Sequence, residues 1–239
     1  MAMFPKARTA VFFDALLEVF LPRACLLCGA RADGPVCAGC RADLPRLEAP
    51  LCPVCASPLG APAPACGACL KSPPAFDATF SPLIYAYPVD ALVHQLKFAC
   101  RLASAEFFSR CMLEGPWPAG DLLMPVALSR QRLRERGFNQ ALEIARPLAR
   151  ALGLPLDATS LVRCRETLPQ SRLPWRARQG NVRHAFACQR DLTGLTVIVV
   201  DDVMTTGATL SAVAQTLKNH GATRVVNWVA TRAVSRGPA

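Results

Sequence analysis

The sequence lacks the long apolar stretches, the high charge density and the glycine-rich loops that mark several large protein classes. No run approaches the roughly 18 to 20 consecutive apolar residues that a membrane-spanning helix needs, so a spanning chain is excluded. Charged residues make up 18% of the 239 residues and hydrophobic residues 52%, which excludes an intrinsically disordered chain. Neither the Walker pattern G-x-x-x-x-G-K-[S/T] nor the Rossmann pattern G-x-G-x-x-G occurs, so two common nucleotide-binding folds are not supported.

Lysine is scarce, and the abundant arginines are concentrated in one part of the chain. The four lysines are Lys6, Lys71, Lys97 and Lys218. Residues 130–190 hold thirteen arginines against four acidic residues, so this segment carries +9 of the total net charge of +10. The planar guanidinium group binds phosphate with two parallel hydrogen bonds. We therefore predict that the segment faces a polyanion, with a solvated basic surface as the alternative.

Residues 1–22 combine an apolar stretch with acidic residues. Two basic residues before the stretch resemble the start of a signal peptide, but Asp14 and Glu18 lie inside it and no small-x-small cleavage site follows. An amphipathic helix ending at Pro22 is the preferred interpretation, packed on its own domain rather than on a membrane. We therefore expect a cytoplasmic protein.

Eight of the twelve cysteines form four C-x2-C pairs, the spacing typical of zinc ligands. The pairs are Cys25/Cys28, Cys37/Cys40, Cys52/Cys55 and Cys66/Cys69. Tetrahedral zinc takes four thiolates, so two pairs would bind each of two ions. A reducing cytoplasm disfavours disulfides, four repeats disfavour a single redox site, and the spacings of iron–sulfur clusters are absent.

The pairing of these cysteines around each ion is not settled by spacing. Sequential pairing closes the shorter loops and is preferred, while an interleaved pairing remains open. Four thiolates leave zinc no open position, which favours a structural or partner-binding role. We predict a double zinc ribbon over residues 23–72.

Beyond a proline-containing hinge at residues 71–74, strand and helix patterns alternate, which predicts an α/β domain over residues 76–239. Strands are predicted at 79–87, 121–127, 195–200 and 224–230, and helices at 89–98, 103–113, 138–152 and around 210–217. Short connections between these elements indicate parallel strands. Ligands of such sheets bind beyond the carboxyl ends of the strands.

The most informative segment lies at one such strand end. Asp201 and Asp202 follow an apolar strand, and a Thr-Thr-Gly-Ala-Thr loop then leads into a helix. Backbone N–H groups, hydroxyls and the positive end of the helix dipole suit a phosphate monoester. Paired carboxylates suit sugar hydroxyls or a hydrated divalent cation. The alternative is a helix cap followed by an ordinary turn.

Residues 197–209 resemble the ribose-phosphate motif of type I phosphoribosyltransferases, which bind phosphoribosyl pyrophosphate (PRPP). More narrowly, the chain resembles the ComF family of competence-associated proteins, in which a double zinc ribbon precedes such a domain. The resemblance covers nearly the whole chain. Beyond the cysteine pairs and the Asp-Asp loop, it rests on Leu96-Lys97-Phe98, Pro125-Val126-Ala127-Leu128, Arg136-Gly137-Phe138-Asn139-Gln140-Ala141, Arg163, Thr167, Gln170, Arg176 and Asn181.

The resemblance implies a type I phosphoribosyltransferase fold, with a parallel sheet, flanking helices and a small hood, and it implies roles for individual residues. Asp201 and Asp202 would be the catalytic pair and hold the ribose hydroxyls, directly or through magnesium. Residues 205–209 would cradle the 5′-phosphate, residues 125–128 would form the pyrophosphate loop, and residues 163–183 a flap. The implied PRPP-binding set is Pro125, Val126, Ala127, Leu128, Arg136, Asp201, Asp202, Val203, Met204, Thr205, Thr206, Gly207, Ala208 and Thr209. Ala127 stands where the family pattern has a second proline.

Two functions follow from this resemblance and stay open. The first is a PRPP- and magnesium-binding phosphoribosyltransferase, a pentosyl transferase of DNA uptake or nucleotide salvage. The second is a non-catalytic adaptor of DNA uptake that keeps the fold for sensing, with single-stranded DNA and a competence helicase as partners. No general base is obvious, the candidates being His94, His184 and His220.

Overall fold

The computed structural model describes residues 24–164 and 185–234, and these residues divide into two compact units between Leu44 and Pro45. The predicted N-terminal helix and residues 165–183 of the predicted flap lie outside the described residues. Among the described residues, no helix has both the length and the apolar character needed to cross a bilayer.

The first unit is a small fold of the zinc-ribbon type, built around four cysteines. A bridge joins Ala24 to Arg31, and the short helix α1 covers Ala38–Ala42. Its buried apolar side chains within the described part are those of Cys25, Pro35, Val36 and Leu44. So few buried groups cannot supply a stable core, which makes metal binding the expected source of folding energy.

The second unit is an α/β domain. Its elements are α2 (Gly67–Lys71), β1 (Ala78–Phe80), β2 (Leu83–Ile84), α3 (Val89–Phe98), α4 (Leu102–Glu114), β3 (Leu122–Pro125), α5 (Arg130–Arg136), α6 (Gln140–Leu152), β4 (Leu161–Arg163), β5 (Phe186–Cys188), β6 (Thr196–Met204), α7 (Ala208–Asn219) and β7 (Arg224–Arg232). The main sheet has the order β1-β7-β6-β3, with β2 also paired to β7, and all of these pairs are parallel. β4 and β5 form a separate antiparallel pair. The predicted fold class is confirmed.

The central strands are buried on both faces, as their sequences require. β6 and β7 are almost continuous apolar runs, the pattern of parallel strands that carry helices on both sides. α6 is strongly amphipathic, begins after the Asn139 cap and ends at Gly153, whose φ of 65° is left-handed. These elements place the carboxyl ends of β3 and β6 side by side.

Several element boundaries differ from the sequence prediction, and the differences at three strands have a clear physical reason. The strand predicted at 79–87 is two short strands, because Pro82 between them has no N–H for the ladder with β7. β6 continues beyond Val200 to Met204, so the acid pair lies inside the strand. Pairing with β7, which itself extends to Arg232, supplies the hydrogen bonds that lengthen it.

The two compact units divide at residue 44, well before the hinge predicted at residues 71–74. The reason lies in the packing of the second cysteine group. Cys52, Cys55 and Cys69 are buried in one apolar cluster with Phe76 and Met204 of the α/β domain. The second ribbon therefore shares a core with the sheet. The boundary predicted at residues 71–74 was based on the spacing of sequence motifs, which does not show this packing.

Candidate functional site

The candidate site lies where two adjacent parallel strands end. The Val126 N–H donates to the Val200 carbonyl at 2.9 Å, which places residues 125–128, called here the 125–128 loop, beside β6 just before Asp201 and Asp202. Residues 205–209, called here the 205–209 loop, follow β6 and enter α7. Because β3 and β6 are parallel, both loops that the sequence predicted to bind one ligand leave the sheet at its carboxyl edge.

Asp201 and Asp202, the acid pair, are held by backbone contacts and by one lysine. Asp202 is buried, with 7% exposure, and its Oδ2 lies 2.6 Å from Lys97 Nζ on α3. The Asp202 N–H donates to Asp201 Oδ1 at 2.9 Å, and the Thr231 hydroxyl donates to the Asp202 carbonyl at 3.0 Å. Lys97 supplies a positive charge at the place where a ligand or cation would meet these carboxylates.

The two acids do not share the same electrostatic environment. Burial, followed by the adjacent charge of Asp202, raises the pKa of Asp201 to about 8, and Lys97 opposes this shift. Burial lowers the pKa of Arg136, while the negative charge of Asp202 acts in the opposite direction. Asp202 is therefore paired with Lys97, whereas Asp201 holds a proton more tightly than an ordinary aspartate and would lose it on binding a cation.

The 205–209 loop has the backbone geometry of an anion site. Gly207 has a φ of 78°, a left-handed value that glycine adopts without strain, and it directly precedes α7. A Cβ at this position would lie 2.8 Å from Met204 Cε. The Thr206 hydroxyl accepts from the Ala208 N–H at 3.2 Å, which fixes the turn. The first turn of a helix directs N–H groups outward from its N-terminus.

The Arg-Gly-Phe-Asn-Gln segment, residues 136–140, contacts the 125–128 loop through Asn139. Asn139 donates from Nδ2 to the Val126 carbonyl at 3.0 Å and accepts at Oδ1 from the Ala141 N–H at 3.0 Å. Arg136 donates to Gln140 Oε1 at 2.9 Å and lies 5.5 Å above the Phe98 ring. One asparagine thus caps α6 and anchors the loop at the end of β3.

A cavity of about 830 Å³ adjoins the 125–128 loop. Arg130 and Arg146 line it together with Arg163, whose guanidinium lies 5.3 Å above the Phe186 ring. Leu133 and Phe138 contribute apolar surface. The cavity is cationic and large enough for a nucleotide-sized group.

Each cysteine quartet has the geometry of a zinc site. The sulfurs of Cys25, Cys28, Cys37 and Cys40 lie within 4.8 Å of one another, and so do those of Cys52, Cys55, Cys66 and Cys69. These are the first and second cysteine quartets, and the sequential pairing is confirmed. In each quartet the N–H of the third cysteine donates to the first sulfur, at 3.3 Å and 3.2 Å. Four convergent sulfurs fit structural zinc.

One thiol in each quartet is easier to deprotonate than an isolated cysteine. Burial opposes the change, but N–H groups of Cys28 and Cys37 lower the pKa of Cys25 to about 6. In the second quartet burial again opposes, and hydrogen bonding by Ser57 lowers the pKa of Cys55 to about 7. Thiolates already favoured by hydrogen bonds are the form that zinc requires.

Sequence reasoning placed the loops and missed three supporting side chains. Lys97 and Asn139 belong to motifs named above and Arg232 lies just beyond the last predicted strand, but nothing in the local pattern indicated what they touch. Of the proposed bases, His94 packs against Phe98 at 4.6 Å and His220 Nδ1 lies 2.9 Å from the Thr216 carbonyl. His184 lies outside the described residues.

Comparison with known proteins agrees with this architecture. Residues 16–70 match the double zinc ribbon domain family, and residues 139–233 match the phosphoribosyl transferase domain family. The DNA utilization protein YhgH of Salmonella typhi is 36% identical over 223 residues, covering 89% of this chain and 98% of its own length. This chain belongs to the ComF family.

Other relatives of this ComF-family chain span similar lengths. The DNA utilization protein YhgH of Escherichia coli (strain K12) is 34% identical, with the same coverage of both chains. Competence protein F of Haemophilus influenzae is 28% identical over 84% of this chain and 92% of its own. Among solved structures, the glutamine PRPP amidotransferase of B. subtilis matches 53% of this chain and 26% of its own, with 19% identity and a TM-score of 0.36. That structural likeness is too weak to support a conclusion about function.

Proposed function

We propose that this ComF-family protein binds PRPP together with magnesium at the carboxyl edge of its sheet and acts in the cytoplasm in the utilisation of DNA. The names of its relatives, DNA utilization protein and competence protein, support the biological setting. Phosphoribosyl transfer with release of pyrophosphate is the catalytic form of this proposal.

One observation carries the proposal: the acid pair and the left-handed turn before α7 lie on the same strand end, beside the 125–128 loop. The 205–209 loop offers N–H groups and hydroxyls to a 5′-phosphate. Asp202 and Asp201 lie three and four residues before the start of this loop, which suits the hydroxyls of the same sugar. Val203 and Met204 connect the two parts within β6. A sugar that carries one phosphate and one pyrophosphate would use all three features together.

The carboxylates of the acid pair fit magnesium. This cation binds through one or two carboxylates and takes the rest of its ligands from water and substrate phosphates. When bound, magnesium would neutralise the charge that develops on departing pyrophosphate. Lys97 forms an ion pair with Asp202. If magnesium took the place of Lys97 at this carboxylate, the Lys97 ammonium would be free to bind the pyrophosphate oxygens.

Calorimetric titration with PRPP and magnesium tests the proposal. Asp201→Asn with Asp202→Asn removes both charged acceptors, and we expect affinity to fall by at least about tenfold. Asp33→Asn with Asp43→Asn is the matched control, because it removes the same charge from exposed positions of the first unit. Equal binding by the wild type and the acid-pair variant would contradict the proposed site.

The second candidate function is the non-catalytic adaptor, favoured by the arginines that line the 830 Å³ cavity. Single-stranded DNA as the titrant separates the two functions. Binding to strand phosphates releases counterions, so affinity would fall steeply as salt rises. Saturable PRPP binding with no pyrophosphate release across nucleobases, together with salt-sensitive DNA binding, would favour the adaptor.

A further inference from the structure

Arg232 at the end of β7 is a buried cation surrounded by carbonyl groups. Its exposure is 7%, and no ion pair of Arg232 is present within residues 24–164 and 185–234. Its nitrogens donate to the carbonyls of Cys55 at 2.8 Å and Met204 at 3.2 Å, and also to those of Thr205 and Ala233. A buried guanidinium needs such partners, because an uncompensated buried charge is strongly destabilising.

These acceptors belong to two different functional parts of the chain. Cys55 is a member of the second cysteine quartet, whereas Thr205 is the first residue of the 205–209 loop. Arg232 Nη2 also donates to the Ser57 hydroxyl at 3.0 Å, and that hydroxyl lies 3.2 Å from Cys55 Sγ. With the thiol deprotonated for zinc, the hydroxyl donates to the sulfur. A continuous chain of hydrogen bonds therefore joins the quartet to the loop.

Apolar contacts follow the same route. Met204 and Phe76 are buried in one cluster with Cys52, Cys55 and Cys69. The same two side chains are the nearest neighbours of the empty Cβ position of Gly207 in the loop. A change in the packing of the second quartet would therefore reach the left-handed turn through both polar and apolar contacts.

The charge of the second quartet explains why a buried arginine lies beside it. Four thiolates around one zinc ion keep a net negative charge, and Arg232 is the buried cation that contacts this quartet through Cys55 and Ser57. Within the first unit, Cys25, Cys28, Cys37 and Cys40 form their own quartet, separate from the compact unit that holds the loop. The chain therefore contains an internal control for any effect of zinc.

We infer that Arg232 is a positioning residue that couples the second cysteine quartet to the 205–209 loop, so that metal in this quartet, and not in the first, holds the loop in its ligand-binding form. Loss of the metal from the second quartet loosens the loop. Because coupling is reciprocal, a ligand on the loop raises the affinity of this quartet for zinc.

The test compares Cys66→Ser with Cys37→Ser in the full chain. Both residues are the third cysteine of their quartet, both are partly buried, and both donate an N–H to the first sulfur. Hydrogen exchange of the amides of residues 203–209 is measured by mass spectrometry. We expect exchange to rise about tenfold in Cys66→Ser and to stay unchanged in Cys37→Ser. Unchanged exchange in Cys66→Ser, or an equal rise in both variants, would overturn the inference.

Arg232→Lys supplies a second measurement that does not depend on loss of a ligand. It keeps the positive charge but loses the planar fork that reaches several carbonyls at once. We expect a chelator to remove one of the two zinc ions faster from this variant, while the other ion leaves at the wild-type rate. Equal removal rates in the variant and the wild type would contradict a role for Arg232.

The ligand measurement rests on the proposed function and is kept separate. PRPP with magnesium should bind about tenfold more weakly to Cys66→Ser than to Cys37→Ser, and should raise the affinity of the wild type for one of its two zinc ions by a similar factor. If the wild-type protein does not bind PRPP, the proposed function fails. The exchange and chelator measurements still decide the coupling in that case.

Discussion

At the scale of single residues, the acid pair shows how environment separates two chemically identical groups. Asp202 is held by Lys97 at 2.6 Å, whereas burial and the neighbouring charge raise the pKa of Asp201 to about 8. In the unfolded chain Asp201 would titrate near an ordinary value of about 4. Between these two pH values the folded protein binds one proton that the unfolded chain has already lost.

The first prediction concerns this proton. The free energy of unfolding should fall as pH rises from about 4 to about 8, because the unfolded state binds fewer protons in that window. Asp201→Asn should remove this part of the slope. PRPP with magnesium should bind more tightly as pH rises towards 8 and should release a proton, which calorimetry in buffers of different ionisation enthalpy measures.

Asp157→Asn is the control for this measurement. Burial opposes the shift, but N–H groups of Ser160 and Thr159 lower the pKa of Asp157 to about 2. Its contribution to stability is therefore present above pH 4 and lost as pH falls through 2. This variant should keep the slope between pH 4 and 8, and binding without proton release near pH 7 would contradict the assignment to Asp201.

At the scale of elements, the start of α6 is coupled to the end of β3. Asn139 uses its oxygen as the helix cap and its nitrogen as the anchor of the Val126 carbonyl. The two atoms of one amide thus serve two different elements. The helix position and the loop conformation are therefore set together.

Two substitutions at Asn139 separate these contributions. Asn139→Ala removes cap and anchor, so the free energy of unfolding should fall by about 1 kcal/mol and binding of pyrophosphate should weaken. Asn139→Asp keeps a capping oxygen but cannot donate to the Val126 carbonyl. It should keep most of the stability, measured by urea unfolding, and still lose pyrophosphate affinity. Equal affinity of Asn139→Asp and the wild type would show that the anchor does not shape the loop.

At the scale of the whole molecule, the second cysteine quartet belongs to the α/β unit. Its buried cysteines pack in the same cluster as Phe76 and Met204, and Arg232 donates to the Cys55 carbonyl. A cut at the predicted hinge would remove these partners from the domain. A cut before Pro45 would leave them in place.

Truncation tests this division. A fragment of residues 45–239 should fold cooperatively and retain one zinc ion, since it keeps the shared cluster and every described acceptor of Arg232. A fragment of residues 76–239 leaves Arg232 short of two acceptors, at about 1–3 kcal/mol for each lost partner. We expect its thermal midpoint to lie well below that of the longer fragment. Equal midpoints would place the functional boundary at the predicted hinge.

Much of the architecture could be predicted from local sequence patterns, because secondary structure and the cysteine pairs depend on residues that are close together in the chain. The C-x2-C spacing brings two sulfurs to one ion, and the short loops between pairs favoured the sequential pairing that the structure then showed. The apolar runs of β6 and β7 and the spacing of α6 predicted the layered sheet. The Thr-Thr-Gly turn indicated where the last helix begins.

Contacts between residues far apart in the chain were decided only by the tertiary structure. Lys97 and Asp202 are 105 positions apart, and Cys55 and Arg232 are 177 apart, so no local pattern could pair them. The sequence by itself determined which cysteines form C-x2-C pairs and which segments are predicted to bind a ligand. The fold decided which charges form pairs and packed the second quartet against the sheet. The physical reason is that a buried charge or carbonyl is costly unless it is paired, and its partner can come from a distant part of the chain.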